Sequence, residues 1–78
     1  MTENIQGAEI VKGKIYGLGV FRNVDEFETY LRKFGFVRIT DWFIDEDYEF
    51  DKSCTVKAGS EQRLILFKQV DLNLPFKT

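Results

Sequence analysis

The hydrophobic and polar positions fall into five periodic stretches separated by turn-forming residues. The first spans 9–16: Val11 and Ile15 share one parity with Gly13 between them, and Lys12 and Lys14 share the other, which predicts a strand. Gly17, Leu18 and Gly19 break that alternation and read as a loop.

The second stretch has a helical period. Val24, Phe27, Leu31 and Phe34 recur at spacings of three and four and form one apolar stripe. Asn23 stands where an N-cap is needed, and Glu26 follows three residues later, as in a capping box. Asp25 and Glu26 complement the positive end of the helix dipole, Arg32 and Lys33 the negative end, and Gly35 supplies the left-handed stop. Glu28 and Arg32 are spaced for an i,i+4 ion pair. The expected helix is 24–34.

Residues 36–44 are rich in β-branched and aromatic side chains and predict a strand with both faces covered at least in part. Asp45, Glu46 and Asp47 mark a reversal. Residues 48–57 alternate, with Tyr48, Phe50, Cys54 and Val56 on one side and Glu49, Asp51, Ser53, Thr55 and Lys57 on the other, the pattern of a strand with one wet face. After a turn at 58–61, residues 62–70 predict a last strand. Short connections favour an antiparallel meander. The expected architecture is α+β, a single domain over 1–78 in the order βαβββ, with one helix packed on one face of a twisted, mainly antiparallel sheet. Residues 1–8 are polar and expected to fray.

The tail 71–78 alternates on its own account, with Leu72, Leu74 and Phe76 separated by polar residues or Pro75. It either folds back on the edge of the core or offers an extended segment to a partner or a second subunit.

Composition narrows the chemistry. The chain has 78 residues, 44% hydrophobic and 31% charged, the balance of a folded domain. It contains no His, which removes the commonest general base and the commonest zinc ligand. The single cysteine, Cys54, excludes an intrachain disulfide and falls on an apolar parity, where it reads as a small buried hydrophobe. Such a chain suits a reducing, cytoplasmic compartment. No apolar run approaches the length of a membrane span, and the first residues lack the pattern of a secretory signal. Neither a dinucleotide-binding nor a Walker pattern surrounds the glycines, so no cofactor is expected. The carboxylates near 45–51 lack the central Gly of an EF-hand, so no metal site is expected either. The reading is non-enzymatic.

Charge then changes the picture. Eleven Lys and Arg oppose 13 Asp and Glu, a net charge of −2, which disfavours direct nucleic-acid binding. The distribution is far more uneven than the total. Residues 41–51 hold six of the carboxylates and none of the cations, so that segment carries −6 and the remainder +4. Asp47, Glu49 and Asp51 share one strand parity, at a spacing of about 6.5–7 Å comparable to successive phosphates. Such a row suits a basic groove built for a nucleic-acid backbone.

The expected partner-binding residues are Asp41, Trp42, Asp45, Glu46, Asp47, Tyr48, Glu49 and Asp51, with Trp42 or Tyr48 as apolar anchor. Trp42 equally suits core packing, and the acidic run equally suits a solvated hairpin that guards a sheet edge. The function these residues point to is a small inhibitor or adaptor acting on another protein with a basic groove. Small acidic proteins without cofactors occur among phage and mobile-element inhibitors, a parallel of size and composition alone. The alternative is a structural or regulatory subunit that forms a homodimer through a sheet edge and the tail residues Leu72, Leu74 and Phe76.

Overall fold

The computed structural model describes residues 4–70. The tail residues Leu72, Leu74 and Phe76 lie outside them. The described residues form an α+β domain of one helix and six strands in an antiparallel sheet. The strands are β1 (Asn4–Val11), β2 (Lys14–Phe21), β3 (Phe36–Arg38), β4 (Phe43–Ile44), β5 (Lys52–Ala58) and β6 (Glu61–Val70), and the helix is α1 (Val24–Lys33). The spatial order is β2-β1-β6-β5-β3, with β4 also paired to β5. The chain order is therefore ββαββββ, not the expected βαβββ.

The first difference is at the N-terminus, where residues 4–8, expected to fray, belong to β1 and pair with β6, Ile5 and Ala8 being buried; the next is at Lys12 and Gly13. Their φ angles of 53° and 80° make the doubly left-handed turn of a two-residue hairpin, whose twist matches that of the flanking strands. The expected strand over 9–16 is thus the two arms of a hairpin, and residues 17–19 lie within β2. Gly7 pairs with Gly19 and Ala8 with Gly17, so Leu18 is an extra, bulged residue. The bulge directs Leu18 toward the helix side, where it packs against the core.

Residues paired directly across an antiparallel sheet point to the same face. On that basis Ile5, Gly7, Cys54, Val56, Ile65 and Phe67 share one face. Phe27 and Leu31 of α1 close over it, and the central side chains are 0–9% exposed. Phe27 lies at the hub, with Phe21, Trp42 and Phe67 within 6.5 Å between ring centroids. The helix begins as its cap predicts, Asn23 Oδ1 accepting from Glu26 N at 2.8 Å. It ends one residue early: Phe34 is the C-cap, is 64% exposed and leaves the apolar stripe for Tyr30, 4.7 Å away.

Cys54 is 2% exposed within this core. Burial pushes its thiol from 9.0 up to about 12, against the opposing pull of Arg38, while Glu28 adds to the rise. The folded state therefore holds the neutral thiol. This contribution to stability is complete below the unfolded pKa and is lost as pH rises from about 9 toward 12. Cys54→Ser, whose hydroxyl does not titrate there, is expected to flatten that part of the stability profile. Denaturant melts of both proteins between about pH 8 and 11 check it, and equal slopes would contradict a shifted thiol.

Candidate functional site: the acidic loop

The region expected to be one long strand over 36–44 is two short ones, and the strand expected over 48–57 starts only at Lys52. Between β4 and β5, residues 45–51 form a loop. Its base is closed by backbone bonds, Asp45 N donating to Asp51 O at 3.2 Å and Asp51 N to Phe67 O at 3.0 Å.

Asp45 organises the interior of the loop. Its Oδ1 accepts from Asp47 N at 3.3 Å, and its Oδ2 from Tyr48 N at 3.1 Å and Phe50 N at 2.9 Å. One carboxylate thus satisfies three backbone donors that a sheet ladder would otherwise take up. Satisfying them locally lets Glu49 occupy the left-handed region at φ 63°. Asp51 is also engaged: its Oδ2 accepts from Gln69 N at 2.7 Å, tying the loop to β6. Phe50 is half-buried, with Lys68 Nζ 5.2 Å from its ring centroid.

The row proposed for Asp47, Glu49 and Asp51 does not exist as a strand face, because none of the three lies in a strand. Its phosphate-like spacing falls with it. The charge remains. Glu46, Asp47 and Glu49 are exposed, and among the described residues no ion pair reaches any carboxylate of 45–51. Also among the described residues, no three His, Cys, Asp or Glu converge as metal ligands would.

The flanking candidates are placed differently. Asp41 is 91% exposed at its side chain and pairs with Arg38 at 3.4 Å. Trp42 is half-buried against the core, its ring 4.7 Å from Phe67, and its Nε1 donates to Glu28 Oε2 at 2.7 Å. Tyr48 is half-buried within the loop itself. Glu28 also holds Arg38 Nε at 3.3 Å, so the expected Glu28–Arg32 pair is replaced by a Trp42–Glu28–Arg38 chain. Glu28 and Arg38 are the structural residues that sequence reasoning missed. Their partners are 14 and 10 positions away, beyond any helical periodicity.

The described sheet ends in two edges, β3 and β4 on one side, where Val37, Phe43 and Ile44 are exposed, and β2 on the other. The run of β2 is interrupted by the Leu18 bulge, which discourages addition of a further strand. No helix among the described residues is long and apolar enough to cross a membrane. Comparison with protein-family models, with curated proteins and with solved structures finds no match to this chain.

Proposed function

We propose that this protein is a non-enzymatic interaction module, an inhibitor or adaptor, whose acidic loop 45–51 engages a basic surface on another protein. The observation that carries this reading is the division of labour among the loop carboxylates. Asp45 and Asp51 hold backbone amides, while Glu46, Asp47 and Glu49 face solvent and form no ion pair among the described residues. A fixed array of like charges gains more from a complementary surface than a mobile one does, because less conformational freedom is lost on binding.

The reading keeps the charge of the loop and gives up its resemblance to a regular phosphate row. Trp42 is committed to Glu28 and Phe67, so the apolar contribution falls to Tyr48. A basic groove in a nucleic-acid-handling protein suits the loop, and a cytoplasmic setting suits the lone buried thiol.

The experiment is capture of partners from the native cell with the wild-type chain and with a variant carrying Glu46→Lys, Asp47→Lys and Glu49→Lys. Asp51 is spared because its carboxylate holds Gln69 N. The variant is expected to melt like the wild type and to bind the captured partner at least about tenfold more weakly. Equal affinity would rule out the acidic mechanism.

A further inference from the structure

Arg32 lacks the carboxylate that its helical spacing promised. Glu28 is drawn to Trp42 and Arg38, and among the described residues Arg32 meets no carboxylate within ion-pair distance. Its Nη2 reaches only Thr29 Oγ1, at 3.3 Å. Arg32 stands on the rim of a cleft between α1 and β3 with a volume of about 260 Å³. Leu31 and Val56 line it and are 3% and 0% exposed, and Phe36 and Val37 complete its apolar lining. Val37 is 61% exposed and would gain burial from any apolar body seated beside it.

The charges on the lining are Arg32, Arg38 and Glu28, one positive charge in excess. Asp41, the other carboxylate on Arg38, does not line the cleft and is 91% exposed. We propose that the cleft binds a monoanionic carboxylate with a compact apolar body. The carboxylate would sit on the guanidinium fork of Arg32, and the body on Leu31, Phe36, Val37 and Val56. A single negative charge balances the lining, whereas a dianionic phosphate would meet Glu28 and leave the apolar walls empty. The volume lies just below the range of about 300–1,000 Å³ that suits drug-sized ligands, so the body is about one aromatic ring with a short chain. The same chemistry is found in free acids and in the C-terminal residue of a peptide. The site is separate from the acidic loop and does not depend on it.

The probe is 4-phenylbutyrate, titrated into isotope-labelled full-length protein and followed by amide chemical shifts. Saturable shifts are expected at Leu31, Val37 and Arg38, with Kd on the order of 1 mM for so small a ligand. The neutral analogue 4-phenylbutanol is expected to bind about tenfold more weakly, and Arg32→Gln, at an exposed helical position, to weaken the acid about tenfold with the rest of the spectrum unchanged. A short peptide ending in a free Phe carboxylate, compared with its amide, separates the two sources. Matching shifts with the free peptide acid assign a chain terminus, and shifts with 4-phenylbutyrate alone assign small acids. No saturable shift at these amides, equal affinity for acid and alcohol, or undiminished affinity in Arg32→Gln would each overturn the proposal.

Discussion

Gly7→Ala is expected to destabilise the domain by about 3 kcal/mol, the upper end of what overpacking a well-filled core costs. A methyl group at Gly7 would stand 2.4 Å from Phe27 Cε1 and 2.5 Å from Cζ, closer than real Cβ contacts come. The ring cannot yield easily. Phe27 is 0% exposed and is held by Phe21, Trp42 and Phe67. The backbone of Gly7 does not need glycine for its own conformation, since its φ is not positive. Elsewhere such a change would stabilise by about 0.4–1 kcal/mol through the unfolded chain. Gly17 is the internal control: nothing lies within 4 Å of its added methyl, and its φ is not positive either. Gly17→Ala should therefore be neutral or slightly stabilising. Adding Phe27→Leu to Gly7→Ala should recover part of the loss, a favourable coupling that a double-mutant cycle reads. Urea midpoints for the set decide the matter, and a Gly7→Ala protein as stable as the wild type would contradict the packing of α1 on β1.

Asp45→Ala is expected to cost about 2 kcal/mol and to open the loop. Hydrogen bonds to charged groups contribute about 1.5–3 kcal/mol each, and water replaces part of that at a half-exposed site. The amides of Asp47, Tyr48 and Phe50 lose their acceptor together. Hydrogen exchange should accelerate at Tyr48 and Phe50 while Cys54 and Ile65, in the core strands, stay protected. Asp47→Ala, which removes an exposed carboxylate that makes no hydrogen bond or ion pair among the described residues, should leave stability within about 0.5 kcal/mol of the wild type. Affinity for the basic partner should fall in Asp45→Ala although Asp45 is itself half-buried, because the charges around it lose their fixed arrangement. Unchanged protection at Tyr48 and Phe50 would contradict the role given to Asp45.

The helix was the most legible element, and for a local reason. Asn23, Glu26 and the spacing of Phe27 and Leu31 act within one or two turns, and the structure uses each of them. Cys54 and Val56 were also readable as inward-facing strand positions, since a period of two survives any change of neighbour, whereas Ile65 and Phe67 were not, because Leu64 and Leu66 beside them are equally apolar. The N-terminal hairpin was not legible. Lys-Gly is a weak turn signal beside Asn-Gly or Asp-Gly, and Gly17 and Gly19 resemble loop residues although a bulge places them in β2. Gly7 carried no sequence signal at all, because what it avoids, the Phe27 ring, is brought there by tertiary packing.

In the acidic segment, composition revealed charge but not shape. Alternation over 48–51 suggested a strand, yet an Asp at the start of a loop that captures amides two, three and five residues onward competes with strand pairing. Asp45 followed by polar residues was a usable sign of that turn. The core packing of Trp42 was one of the two readings its sequence allowed, but its bond to Glu28 was beyond reach, since it joins the helix to a position 14 residues further on, between β3 and β4.

The central claim is that charge on the 45–51 loop holds the partner. Its most direct test is the affinity of the wild-type protein for its captured partner as a function of salt, from low ionic strength, where screening sets in at about 30 Å, to about 1 M, where it sets in at about 3 Å. The account predicts that affinity falls by an order of magnitude or more across that range, with most of the loss in the association rate. An affinity that stays level with salt would contradict it and place the contact on an apolar surface instead.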